Sequence, residues 1–268
     1  MDNDDGASVG WIELLGVKIR NLDEPMCVRQ VIRSLADGVG GWIITYNVDI
    51  MRRHIVDADF RNLALQASMI VADGMPLVWA SRIQGTPLPS RVAGANLISS
   101  LSASAANNGR SIFLLGGDIG TAEEASRVLQ SRWPGVLIAG TWFPPPGFES
   151  DAVEMDNIRV ALERTQPSII YVALGSPKQE KLILKLRNTL PQSWWVGVGI
   201  SFSFLSGSLR RAPDWMQRSG LEWMHRLWQE PRRLGRRYLK DGLPFAFYLL
   251  WTSLLKRRAF GHVDSVKK

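Results

Sequence analysis

A chain of 268 residues that is 46% apolar and 21% charged can bury the core of one α/β domain with an appendage, which excludes a disordered or low-complexity protein. Its single cysteine, Cys27, excludes an internal disulfide and a cysteine-rich metal site, and His54, His225 and His262 show no His-Glu-x-x-His or similar spacing. The net charge of +7 is unevenly placed: residues 206–268 hold 14 Lys and Arg against 5 Asp and Glu, residues 1–205 are net −2, and this asymmetry signals an anionic partner such as phosphate, nucleic acid or a membrane surface.

The acidic, polar start over residues 1–11 has neither the basic flank nor the apolar run of a signal peptide and is expected to be a disordered leader. IELLGVKI (12–19) suggests a hairpin or an edge strand. Apolar runs then recur as WIITYN (42–47), SMIVA (68–72), SIFLLG (111–116), VLIAGT (136–141), SIIYVAL (168–174) and WWVGVG (194–199). Between them lie stretches of helical length such as DIMRRHIVDADFRNLALQ (49–66) and TAEEASRVLQSRW (121–133). Continuous rather than alternating apolar strands predict a sheet buried on both faces, and strand–helix alternation predicts a Rossmann-like, largely parallel sheet flanked by helices. The pattern stops near residue 206, so residues 12–205 are read as the core and 206–268 as a basic, Trp/Arg-rich helical appendage of two helical pieces separated at Glu230-Pro231. The apolar run LPFAFYLLWTSLL (243–255) is shorter than the roughly 18 to 20 residues that span a bilayer.

Ligands of such sheets collect beyond the carboxyl ends of the strands. Thr45, Asn47, Asp73-Gly74, Gly116-Gly117, Gly175 to Gln179, Gly197 and Gly199 stand there. In VADGMPLVWA (71–80), Asp73 is either ordinary Asp-Gly turn chemistry or a reactive carboxylate held at a strand end. GGDIG (116–120) is a plain strand–helix turn or a place where backbone amides approach a phosphate; it is neither GxGxxG nor a Walker loop. In GSPKQE (175–180), Ser176 is expected as N-cap and Pro177 as the first helical residue, with Lys178 and Gln179 over the pocket. The DAD at 57–59 falls inside a helical pattern and is read as a solvated helix face, so no metal site is assigned. Arg91, in PLPSRVAGANL, matters only if it lies near Asp73. Arg226, Arg232, Arg233, Arg236 and Arg237, interleaved with Trp223, Leu227, Trp228, Leu234 and Tyr238, suit a membrane surface or a diphosphate clamp; with no recognised reader fold, nucleic acid is not expected.

Taken together, TYNVD at 45, VADGMPLVW at 71, GTPLPSRVAGANL at 85, LLGG at 114, LGSPKQE at 174, GVGISFSFLSG at 197 and RRAPDWMQRSGLEWMHRLWQEPRRLGRRYL at 210–239 resemble the WecG/TagA/CpsF glycosyltransferase family, glycosyltransferase family 26. The resemblance runs from about residue 12 to 240. It implies a GT-E type core and an inverting transfer from a UDP-sugar to a sugar carried on a polyprenyl diphosphate, with neither metal nor other cofactor. It also implies a peripheral enzyme at the cytoplasmic face of the inner membrane, serving exopolysaccharide or another cell-surface polymer. Asp73 matches the family's proposed general base. Thr45, Asn47 and Gln179 match positions for sugar or nucleotide hydrogen bonds, and Arg91 one for acceptor or phosphate charge. Asn96, Gly116, Gly117 and Lys178 complete the expected pocket, and Arg226, Arg233 and Arg236 match an appendage that closes over the diphosphate. Asn96 and Ser203 stand where members often carry Asp, and TYNVDI looks closer to exopolysaccharide members that transfer glucose. Rival readings are a nucleotide-cofactor oxidoreductase or methyltransferase, against which the missing GxGxxG counts, and a non-catalytic membrane-surface assembly protein with a decayed pocket. Self-association is left open.

Overall fold

The computed structural model describes residues 10–265, with side chains to residue 258; most of the expected leader lies outside the described residues. The first unit is a hairpin of β1 (Trp11–Leu14) and β2 (Val17–Arg20), closed by Leu15 and Gly16, both at positive φ, as a two-residue hairpin turn requires. Its alternating pattern turns Ile12, Leu14, Val17 and Ile19 inward. The pair forms its own two-stranded sheet, which settles the expectation in favour of a hairpin.

The core then runs α1 (Glu24–Ala36), β3 (Gly41–Tyr46), α2 (Val48–Val56), α3 (Ala58–Ala64), β4 (Met69–Ala72), α4 (Met75–Gln84), α5 (Gly94–Asn107), β5 (Ser111–Gly116), α6 (Thr121–Arg132), β6 (Leu137–Trp142), α7 (Ala152–Thr165), β7 (Ile169–Ala173), α8 (Lys178–Leu186), β8 (Trp194–Gly197) and α9 (Ser201–Leu205). Strands pair in the order β4-β3-β8-β7-β5-β6, parallel throughout, with Ile43 opposite Met69, Gly41 opposite Trp194 and Ile112 opposite Ile169. The Rossmann-like, helix-flanked parallel sheet is therefore present. Successive residues of β3 and β4 point to opposite faces, so Trp42, Ile44, Tyr46, Ile70 and Ala72 join one core cluster while Ile43, Met69 and Val71 join the other. Double-sided burial explains why these strands read as unbroken apolar runs.

One helical expectation needs correction. The stretch 49–66 breaks at Asp57, which ends α2 and accepts the Phe60 N–H at 3.0 Å as N-cap of α3. Asp57 therefore serves a helix joint and is not part of one continuous helical face.

The appendage is more divided than the two expected helical pieces, with α10 (Asp214–Arg218), α11 (Glu222–Gln229), α12 (Pro231–Gly235), a π-helical turn over Arg236–Gly242 and α13 (Leu243–Ser265) among the described residues. Pro231 occupies the first turn of α12, where its missing N–H is harmless. The helix α13 buries Phe245, Leu249 and Ser253 towards α4 and leaves Phe247, Trp251 and Leu255 exposed on the opposite side. The tail thus folds back across α2 and α4 and roofs the carboxyl ends of the strands.

The double glycine ending β5 is explained by packing. Gly116 and Gly117 have φ of 100° and 85°, and the Gly117 N–H donates to the Ala173 carbonyl at 2.7 Å. A Cβ on Gly117 would stand 2.3 Å from Thr121 Oγ1 and 3.0 Å from Phe202 Cδ2. Gly117→Ala is therefore expected to cost about 2 kcal/mol, read as a lower denaturation midpoint in urea.

Candidate active site

A cavity of about 290 Å³ lies between the strand ends and the tail. Its floor carries Thr45, Asn47, Asp73, Gly175, Gln179 and Gly199; its roof carries Trp223, Arg226, Arg233, Arg237 and Tyr238. Trp223 and Tyr238 meet edge to face, with centroids 6.2 Å apart.

Asp73 is fixed by backbone before its side chain does anything. Its N–H donates to the Tyr46 carbonyl at 2.7 Å, and the Val92 N–H donates to the Ala72 carbonyl at 2.7 Å. The end of β4 is thereby pinned between β3 and the segment leading into α5. Gly74 and Pro76 begin α4, turning the chain away immediately after the carboxylate. The carboxylate Oδ2 accepts the Gly94 N–H at 3.4 Å. Burial pushes the Asp73 carboxyl up to about 7; Arg91, Arg211 and the Gly94 N–H pull it down, while Glu222 pushes it up. A carboxylate whose proton equilibrium lies near neutrality, held at a strand end, suits a general base. That favours the reactive reading of Asp73 over the turn reading.

The other floor residues are similarly held. Asn47 caps α2, its Oδ1 accepting the Ile50 N–H at 3.0 Å, which leaves its amide NH2 for a ligand. Thr45 is buried near the end of β3. Gln179 is locked: its Oε1 accepts the Gly199 N–H at 3.2 Å and its Nε2 donates to Glu180 Oε1 at 2.9 Å. A Cβ on Gly197 would come within 2.6 Å of that Nε2, so only glycine lets the amide lie across the end of β8. Burial pushes the Glu180 carboxyl up. Arg91 does lie beside Asp73, donating to Glu222 Oε2 at 2.9 Å and to Gln217 Oε1 at 3.4 Å.

Several expected residues fall elsewhere. Lys178 reaches Glu149 at 2.6 Å with 58% of its side chain exposed, so it makes a surface ion pair outside the cavity wall. Asn96 lies in the first turn of α5, where Ala93 and Ala95 line the cavity instead, and Ser203 is also outside the lining. Gly116 and Gly117 pack against β7, Thr121 and Phe202 rather than lining the cavity. Ser176 is not an N-cap: α8 starts at Lys178 with Pro177 in the cap position.

In the tail, Arg237 lines the cavity and Arg236 does not. Asp49 on α2 holds Arg237 at 2.9 Å, which fixes that side of the π-helical turn inward. Arg237 is four residues beyond Arg233, the spacing that stacks side chains on one helical face, and this was the available sequence signal. Arg211 and Glu222 were missed altogether; no local spacing ties them to Asp73.

Three arginines that line the cavity each keep a buried N–H without a partner. Glu230 pairs with Arg233 and lies 3.9 Å from Arg226, yet Arg226 Nε, Arg237 Nε and one Nη of Arg211 are buried without a hydrogen-bond partner. Buried guanidinium N–H groups left open are costly unless an anion takes them. Among the described residues, no group of three or more His, Cys, Asp or Glu side chains is placed to hold a metal ion.

The description "Glycosyl transferase WecG/TagA/CpsF family" matches residues 12–259. An N-acetylglucosaminyldiphosphoundecaprenol N-acetyl-beta-D-mannosaminyltransferase of Bacillus subtilis (strain 168) is 34% identical over 200 residues, covering 74% of this chain and 75% of its own. A protein of the same name from Staphylococcus aureus (strain MRSA252) is 29% identical over 238 residues, covering 88% and 91%.

Proposed function

This chain belongs to the WecG/TagA/CpsF glycosyltransferase family, and from that premise we propose that it is an inverting, metal-independent transferase that moves a hexose or N-acetylhexosamine from a UDP-sugar to a polyprenyl-diphosphate-linked sugar. The observation that carries this reading is a carboxyl of near-neutral proton affinity, Asp73, in a cavity lined by Arg226, Arg233 and Arg237.

In the proposed step, Asp73 takes the proton of the acceptor hydroxyl as that oxygen bonds to the anomeric carbon. The bond from that carbon to the UDP oxygen breaks on the opposite face, and the electron pair leaves with UDP. Arg226, Arg233 and Arg237 offset the charge that develops on the diphosphate, the part a metal plays in other transferases. Thr45, Asn47 and Gln179 orient sugar or nucleotide, and Arg91 stands on the acceptor side next to the base. The names of the relatives support an N-acetylmannosaminyl donor and an N-acetylglucosaminyl diphosphoundecaprenol acceptor. TYNVDI favours glucose and exopolysaccharide, so both donors belong in the test.

Membrane docking is the second part of the reading. No helix among the described residues is long and apolar enough to cross a membrane. The tail instead exposes Trp228, Phe247 and Trp251, at 82%, 74% and 60%, together with Arg232, Arg257 and Arg258. Aromatic and basic side chains together favour the headgroup layer, where a polyprenyl-linked acceptor resides, and we place the protein peripherally at the cytoplasmic face. Asn96 and Ser203, the support for a decayed pocket, lie outside the cavity lining, which weakens the non-catalytic alternative.

The test is UDP release from a panel of UDP-sugars with a polyprenyl-diphosphate-sugar in vesicles and EDTA present. Acceptor-dependent release with one donor is expected. Silence across the panel, or activity that EDTA abolishes and a divalent ion restores, overturns the reading.

A further inference from the structure

Two guanidinium groups, Arg91 and Arg211, act electrostatically on Asp73, and a carboxylate that pairs with arginine is a poor proton acceptor because the ion pair favours its charged form. Neither arginine makes a hydrogen bond to Asp73. Arg91 Nη1 is 2.9 Å from Glu222 Oε2, and Arg211 Nε is 3.4 Å from Glu222 Oε1, so one carboxylate takes both. Arg91, Glu222 and Arg211 are all largely buried, with side-chain exposures of 15%, 18% and 24%, and all three line the cavity that contains Asp73. The only hydrogen bond that Asp73's side chain receives among the described residues is the long one, 3.4 Å, from the Gly94 N–H.

The geometry points to Glu222 as a positioning residue that holds Arg91 and Arg211 away from ion pairing with Asp73 and so preserves Asp73 as a base. This rests on the assignment of Asp73 above.

The groups around Asp73 come from different parts of the chain: Arg91 from the segment between α4 and α5, the Gly94 N–H from the start of α5, Arg211 from the segment after α9, and Glu222 from the first turn of α11. Glu222 and Arg211 are thus the groups by which the tail acts on the core's carboxylate, with opposite signs. The like charge of Glu222 supports the same outcome, since it pushes the Asp73 carboxyl up while both arginines pull it down. Docking α11 would then do more than roof the cavity. It would convert two flanking cations from partners of the base into partners of a second acid.

The experiment is the pH dependence of kcat/KM for the full chain and for Glu222→Gln, Glu222→Ala and Asp73→Asn, each with its urea midpoint and UDP affinity. The wild-type acidic limb is expected near pH 7. Glu222→Gln keeps an acceptor for Arg91 but removes the charge, so its limb should move about one pH unit lower, with a plateau within about tenfold of wild type. Glu222→Ala frees both arginines, and its limb should move further down with a plateau loss of about 10²-fold at unchanged UDP affinity. A merely structural role would lower the urea midpoint and leave the limb in place, and that result overturns the proposal. If Asp73→Asn retains wild-type turnover, the base assignment itself has failed. If Asp73→Asn is inactive while both Glu222 variants keep the wild-type limb, only the role of Glu222 falls.

Discussion

Asp73→Asn is expected to lower kcat by about 10²- to 10⁴-fold while leaving UDP affinity unchanged, the range that removal of a positioned general base produces. The substitution is nearly isosteric, and the backbone that fixes position 73 runs through main-chain bonds to Tyr46 and from Val92 to Ala72, none of which it touches. What is lost is the ability to accept a proton. The surviving wild-type activity should rise with pH through about 7, where Asp73 ionises.

A second readout of the same variant needs no substrate. The folded protein holds the Asp73 carboxyl above its ordinary value, so its protonated form is favoured by folding. That contribution is full below the ordinary carboxylate range, declines as pH rises, and is gone once pH passes about 7. Asparagine does not ionise. The urea midpoint of Asp73→Asn should therefore exceed that of wild type at pH 8, and the difference should shrink towards pH 4. An equal gap at both pH values would show that Asp73 is not held as a proton-retaining carboxyl.

Arg237→Ala is expected to lower kcat by about 10²-fold, the scale of removing one donor that meets developing charge. Arg236→Ala should stay within about threefold of wild type, in the range of an ordinary surface change. The neighbours differ only in where the fold sends them. Arg237 lines the cavity, is held by Asp49 at 2.9 Å and keeps a buried Nε without a partner, whereas Arg236 lies outside the lining. Arg237→Lys should recover part of the loss, because charge survives while the planar fork does not. Initial rates across a range of donor concentrations would separate kcat from KM. Equal losses at 236 and 237 would point to a general electrostatic role for the tail instead of a specific contact.

The contrast between these arginines marks the boundary of what the chain states locally. The strand runs at 42–47, 68–72 and 168–174 were legible because burial on both faces of a parallel sheet leaves no polar alternation, and each lies within two residues of the observed strand. Thr45, Asn47, Asp73 and Gln179 followed from the same logic, since strand ends in such a sheet share one edge. The fit of proline to a first helical turn located the break at Glu230-Pro231. These were properties of neighbours in sequence, which backbone geometry converts into position.

The rest depended on pairings between distant segments. Lys178 follows a strand end, but Glu149 pulls it outward to the surface. The glycines at 116 and 117 fit a plain strand–helix turn and a phosphate contact equally, and the close approach of β7, Thr121 and Phe202 gives them a packing role. Arg91 and Glu222 are 131 residues apart, and nothing in the spacing of either announces the bond between them. By itself the sequence determined the sheet, the edge at which the cavity lies and the carboxylate placed there. Only the tertiary structure decided which cations face that carboxylate and which acid holds two of them, because a side chain's direction is set by the partner it meets and those partners lie on helices brought in from the other end of the chain.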